Sequence, residues 1–278
     1  MSKLIAIVGV GLMGGSVAKA LRRCHNDTQL IGIAPSRSEL EPALELGLID
    51  WAFSLAQLPH IPAELVIACT PISEIVPALA QVAEAVPAHT LFTDVGSTKQ
   101  EVLEQASRYP WAERFVGAHP LAGSEKSGWS ASQGDLFDNR VCILTPTKQN
   151  PESMVQRCAE FWQSLGCRIE YLPADVHDEI LARTSHLPHI GAAILAALVN
   201  PKEKIFTAGG WRDTTRIASG NPQLWQGILL SNAPAIQQAL KLFAERLEEF
   251  RLALAQADEA RLHQLLLEGK VARDDLGS

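Results

Sequence analysis

Residues Gly9-Val10-Gly11-Leu12-Met13-Gly14 follow the apolar run Leu4 to Val8 and precede a helical pattern from Ser16 to Arg23. A G-x-G-x-x-G turn set between a strand and a helix restricts the fold more than any other stretch of this chain. Gly9 lets the backbone turn sharply, Gly11 lets a pyrophosphate approach, and Gly14 lets the helix pack on the strand, with the helix N-terminus facing the phosphates. A second apolar strand, Gln29 to Ile33, completes the unit. The spacing predicts an α/β Rossmann-type doubly wound sheet that binds a dinucleotide through Gly9, Gly11, Leu12, Met13 and Gly14.

About 20 residues past the last glycine, a carboxylate would hold the ribose 2′-hydroxyl of NAD. The chain there reads Ile33-Ala34-Pro35-Ser36-Arg37, with no carboxylate until Glu39. The Ser36 hydroxyl and the Arg37 guanidinium suit a 2′-phosphate, so NADP is the expected cofactor and NAD the alternative. The competing reading makes Ser36 a helix cap and Arg37 a solvated surface residue.

Three further strands end in polar groups. Leu65 to Ala68 runs into Cys69-Thr70-Pro71, Thr90 to Asp94 into Val95-Gly96-Ser97-Thr98-Lys99, and Phe115 to Gly117 into His119. Open α/β sheets bind ligands at the carboxyl ends of their strands, which brings Thr70, Pro71, Ser97 and His119 to the edge that holds the glycine loop. Ser97 also suits an N-cap, and a lone His-Pro often does no more than shape a turn. His119 is the natural general base, because an unperturbed imidazole titrates near neutrality.

Strands Arg140 to Leu144 and Arg168 to Tyr171 flank a helix from Pro151 to Leu165. Beyond Leu172 only helical periodicity remains. The expected organisation is a dinucleotide-binding domain over 1–172 and an all-α C-terminal domain over 173–278 for substrate binding and dimerisation. In the latter, His186 and His189 share a helix face that Pro188 should kink. The apolar positions Leu229, Ile236, Leu240, Phe243, Leu247, Phe250 and Leu254 form a seam that favours a homodimer through these helices, and the charged tail after Leu267 is expected to fray.

A net charge of -7 gives no footprint for nucleic acid or an anionic membrane surface, so an anionic substrate needs a local cationic group. Five scattered cysteines without C-x-x-C spacing argue for reduced thiols, and His186-x-x-His189 lacks the company of further ligands that a metal would need. The apolar start is too short for a secretory signal and no later run spans a bilayer, which makes a cytoplasmic location the expectation.

The glycine loop, Cys69-Thr70-Pro71, Asp94-Val95-Gly96-Ser97-Thr98-Lys99, Gly117-Ala118-His119-Pro120-Leu121-Ala122-Gly123-Ser124-Glu125, Ser185-His186-Leu187-Pro188-His189 and Gly210-Trp211-Arg212-Asp213-Thr214-Thr215-Arg216 occur in that order. Together they resemble the prephenate/arogenate (cyclohexadienyl) dehydrogenases, the NAD(P) enzymes of tyrosine biosynthesis. The resemblance implies oxidative decarboxylation of arogenate, prephenate or both, to tyrosine or 4-hydroxyphenylpyruvate, with hydride transfer to NADP+. It implies that His119 is the base, with Ser97 set between cofactor, histidine and substrate hydroxyl, and that Thr70 and Pro71 lie near the cofactor. It further implies a substrate pocket lined by His177, His186 and His189, with Arg216 on the ring carboxylate and Ser124, Glu125, Asp213 and Trp225 nearby. Glu125 suits either an ammonium or an ion pair with Arg212 or Lys126. Two other readings fit a glycine loop: another Rossmann-type hydroxyacid dehydrogenase, or an NADP-sensing regulatory protein that has no need for Ser97, His119 and Arg216 together.

Overall fold

The computed structural model describes residues 4–25, 27–123 and 128–276. Strand β1 (Leu4–Val8) shows why the sheet is central: Ile5 and Ile7 enter one apolar core while Ala6 and Val8 enter another, so both faces are covered. That accounts for an all-apolar run where a one-sided strand would alternate. Helix α1 (Leu12–Cys24) buries Val17, Ala18 and Leu21 in the core on the Ile5 face.

The chain continues through β2 (Gln29–Ala34), a 3₁₀ turn Arg37–Leu40, α2 (Glu41–Glu45), β3 (Trp51–Ser54), β4 (Leu65–Ala68), α3 (Ile72–Ala83), β5 (Leu91–Asp94) and α4 (Gln100–Ala106). It then forms β6 (Phe115–Pro120), β7 (Val141–Thr145), α5 (Glu152–Ser164) and β8 (Arg168–Tyr171). The strand order is β3-β2-β1-β4-β5-β6-β7-β8, parallel except where β6 meets β7. The order steps out from β1 in both directions, and this reversal opens the crevice where doubly wound sheets bind dinucleotides.

The antiparallel pairing alters one expectation. His119 and Pro120 lie within β6, because Gly117–Pro120 pair with Cys142–Thr145 and His119 faces Ile143 in the register. His119 is therefore fixed by sheet hydrogen bonding and does not ride on a loop.

From Ala174 onward the described chain is helical: α6 (Ala174–Leu181), α7 (Leu187–Leu198), a 3₁₀ turn Pro201–Phe206, α8 (Gly209–Thr215), a 3₁₀ turn Arg216–Ser219, α9 (Pro222–Ser231), α10 (Ala233–Ala255) and α11 (Glu259–Asp274). Between α6 and α7 the chain winds as a π-helix over Ala182–His186. Pro188 sits in the first turn of α7, where its missing N–H costs little, and the wide π turn replaces the expected mid-helix kink.

Two compact units are present, Met1–Ala233 and Pro234–Ser278. In the second, α11 continues helical through Asp274 where fraying was expected from Leu267; Arg246 pairs with Glu268 at 3.1 Å and ties α10 to α11. Phe243, Leu247, Leu254, Leu266 and Val271 are exposed on these helices. Among the described residues no helix is long and apolar enough to cross a membrane.

Candidate active site

The glycine loop meets the demands of its spacing. Gly9 has φ +87°, and a Cβ there would come 2.9 Å from the Cys69 carbonyl oxygen; at Gly14 it would come 2.0 Å from the Gly9 oxygen. At Gly11 a Cβ would meet nothing within 4 Å, so this backbone faces open space. Leu12 and Met13 begin α1, whose first turn carries no carboxylate to repel a phosphate. Beside the loop, Thr70 Oγ1 is buried with no hydrogen-bond partner among the described residues, and Pro71 leads into α3. An open helix N-terminus beside an orphaned hydroxyl fits dinucleotide phosphates and ribose. Burial pushes the Cys69 thiol up.

Ala34 ends β2 in the core, and Ser36 and Arg37 follow it exposed. Ser36 makes no capping bond to the turn after it; its hydroxyl shares a 2.7 Å hydrogen bond with that of Ser38.

Asp94 and Lys99, whose side chains are fully buried, clamp the Ser97 loop to β6. Asp94 Oδ2 accepts from Gly96 N at 2.9 Å and from Lys99 Nζ, while Oδ1 accepts from Ala118 N at 2.9 Å. Lys99 Nζ also donates to the Ala118 oxygen at 2.9 Å. Removing one partner from such a buried pair typically costs about 3–5 kcal/mol, so the clamp is a fixed frame for the adjacent His119. Ser97 is half-buried and does not cap α4, which starts at Gln100. That cap comes from α6: Asp178 Oδ1 accepts from Lys99 N at 2.9 Å and Oδ2 from Gln100 N at 3.0 Å.

His119 is buried, and its Nδ1 lies 2.9 Å from His177 Nε2. His177 Nδ1 in turn lies 2.7 Å from Asp178 Oδ1. His177, expected to line the substrate pocket, is instead fully buried behind His119 with both ring nitrogens engaged. Burial holds the His119 imidazole well below the usual 6.5, and His177, Lys99 and His186 push the same way.

The π turn aims His186 inward. Its Nδ1 lies 3.1 Å from Asn232 Nδ2, which also donates to the Asp178 carbonyl oxygen at 2.8 Å. Burial pushes His186 down to about 4, with Asp178 opposing the shift and the other histidines adding to it. His189 is lowered by burial and stacks on Trp225 at 3.5 Å between centroids, while His186 meets Trp225 edge-on at 6.3 Å. His186 Nε2 and His189 Nδ1 are buried without partners among the described residues, a state that marks polar atoms available to a ligand.

Arg216 begins the turn Arg216–Ser219 that packs on α7, the helix of His189. Asp213 lies exposed on α8. Ser124 and Glu125 fall outside the described residues. Sequence reading assigned no role to Asp94, Lys99, Asp178 or Asn232. Asp94 and Lys99 stand inside the motif around Ser97, and Asp178 follows His177 directly, but a carboxylate in a helical stretch reads as solvated until its partners are known.

Residues 17–171 match the family model described as prephenate dehydrogenase, nucleotide-binding domain, and residues 173–268 match prephenate dehydrogenase, dimerization domain. A prephenate dehydrogenase of Bacillus subtilis is 34% identical over 284 residues, covering 99% of this chain and 76% of the relative. A crystal structure of Aquifex aeolicus prephenate dehydrogenase with hydroxyphenyl propionate and NAD+ aligns with a TM-score of 0.91 and 30% identity, covering 99% of each chain. Synechocystis arogenate dehydrogenase aligns with a TM-score of 0.82 and 30% identity, covering 98% of this chain and 99% of that one.

Proposed function

Because the chain belongs to the prephenate dehydrogenase family of oxidoreductases, we propose that it oxidises the ring hydroxyl of prephenate, arogenate or both, with loss of the ring carboxylate. The observation that carries this reading is a buried histidine, His119, on the sheet strand beside the clamped Ser97 loop, where burial favours the neutral ring. A neutral imidazole at that edge takes the hydroxyl proton, and Ser97 orients the hydroxyl. When bound, the dinucleotide supplies the hydride acceptor. Loss of the carboxylate as CO2 makes the ring aromatic and drives the reaction forward.

Arg216 anchors the ring carboxylate through a charge-assisted fork, and the turn it begins sits on α7 with His189. His186 and His189 offer unpartnered buried nitrogens to the substrate's polar groups, with Trp225 as a flat apolar wall. We assign dinucleotide binding to 1–172 and the substrate pocket and dimer contact to 173–278. The exposed apolar residues of α10 and α11 support a homodimer through these helices, as does the dimerization description of the matched segment.

NADP is assigned as the preferred cofactor, since β2 ends at Ala34 without a carboxylate and Ser36 and Arg37 are exposed just beyond it. The relative with NAD+ bound makes NAD the competing choice. Steady-state kinetics with both acids and both dinucleotides tests the whole reading. The expected result is turnover of at least one acid, with kcat/KM for NADP at least about tenfold above NAD, a difference of roughly 1.4 kcal/mol. Equal use of NAD would remove the role given to Arg37, and no turnover in any combination would overturn the function.

A further inference from the structure

We infer that Asp178 and His177 are positioning residues that fix His119 in its Nδ1–H tautomer, so that the Nε2 lone pair meets the substrate hydroxyl. The inference rests on the proposed dehydrogenase reading for the identity of that hydroxyl.

With His177 neutral, the hydrogen bonds run in one consistent direction. Asp178 accepts from Lys99 N and Gln100 N, so its carboxylate is held as an anion and an acceptor. His177 must then donate from Nδ1 to Asp178 Oδ1 at 2.7 Å. A neutral His177 is left with a bare Nε2, which accepts from His119 Nδ1–H at 2.9 Å. His119 in turn keeps a bare Nε2, the nitrogen a general base needs.

The surroundings favour a neutral ring at His119. His119 is buried beside the Lys99 ammonium, and both burial and that charge oppose a second proton on it; Asp94 is occupied by Lys99, and Asp178 stands behind His177. The same Asp178 carboxylate caps α4 just after the Ser97 loop, so one side chain both backs the histidine pair and anchors the end of that loop.

The tautomer also suits the balance of the reaction. The hydroxyl proton moves to His119 Nε2 as the carbon–hydrogen pair leaves as hydride. The carbon–carboxylate bond then breaks to release CO2, its electron pair enters the ring, and the ring oxygen takes the proton back from Nε2. His119 ends in the tautomer in which it began.

Nitrogen-15 NMR of histidine-labelled protein without substrate reads the tautomer directly, with His119 assigned by its loss in H119N. Wild-type protein is expected to show His119 protonated at Nδ1 and bare at Nε2. Asp178→Ala removes the acceptor that holds the proton on His177 Nδ1, and should release His119 to a mixture of tautomers and lower kcat by about tenfold or more with KM nearly unchanged. Since that variant also weakens the α4 cap, a second pair keeps Asp178 in place. His177→Gln can donate to Asp178 and accept from His119, and should hold kcat within about tenfold of wild type, whereas His177→Phe can do neither and should lose about 10²-fold or more. Equal kcat for these two variants, or a His119 tautomer that ignores Asp178→Ala, would overturn the inference. If wild-type protein turned over neither acid, the functional reading would fall while the NMR result still decided the tautomer.

Discussion

At the glycine loop, three residues of a single turn create the open space at Gly11 and the close helix contact at Gly14. At His119, the nearest partner lies 58 positions along the chain, and the carboxylate behind it reaches back 79 positions to the Lys99 N–H. The first region works through backbone conformation, which a few neighbouring residues set. The second works through side chains that only the folded sheet and helices bring together. Substitutions should therefore separate the two: a change at one end should spare the other.

The largest separation is expected from His119→Asn. It removes the base while α1 and the glycine loop stay intact, so kcat should fall by about 10²- to 10⁴-fold with dinucleotide affinity nearly unchanged. Turnover close to wild type, checked beside a fluorescence titration of dinucleotide, would break the division at its chemical end.

Gly14→Ala should act in reverse and by less. Its Cβ would press on the Gly9 carbonyl oxygen, and backbone yields poorly, so α1 must shift off the strand. Overpacking of this kind typically costs about 1–3 kcal/mol, which corresponds to a loss of about 10- to 100-fold in dinucleotide affinity. Since β6 and its pairing with β7 do not involve Gly14, His119 should keep its place. Unchanged affinity would show that the tight contact is not what shapes the loop.

The same contrast governs what the sequence made legible. Gly9, Gly11 and Gly14 were readable because each answers a backbone demand met within its own turn. The parallel strands were readable because apolar runs such as Leu65–Ala68 suit burial on both faces. The extent of β6 was hidden, because a His-Pro pair reads as a turn and only the antiparallel partner β7 keeps it extended. Pro188 reads as a kink, and the π turn that absorbs it depends on wider backbone bonding than periodicity reveals. His177 was recognisable as part of the site but was assigned to the pocket wall. Its true neighbours, His119 in front and Asp178 behind, depend on α6 packing against β6 and α4.

The most direct measurement of the central claim, that a buried neutral His119 is the base, is the pH dependence of kcat/KM at saturating dinucleotide. Protonation of the free imidazole abolishes the base. Burial disfavours the imidazolium, with the Lys99 ammonium adding to the effect, so the acid limb moves down with the pKa. The account predicts a plateau through neutrality and an acid limb below the usual 6.5 of histidine, absent in H119N. An acid limb at or above 6.5, or one that survives unchanged in H119N, would contradict it.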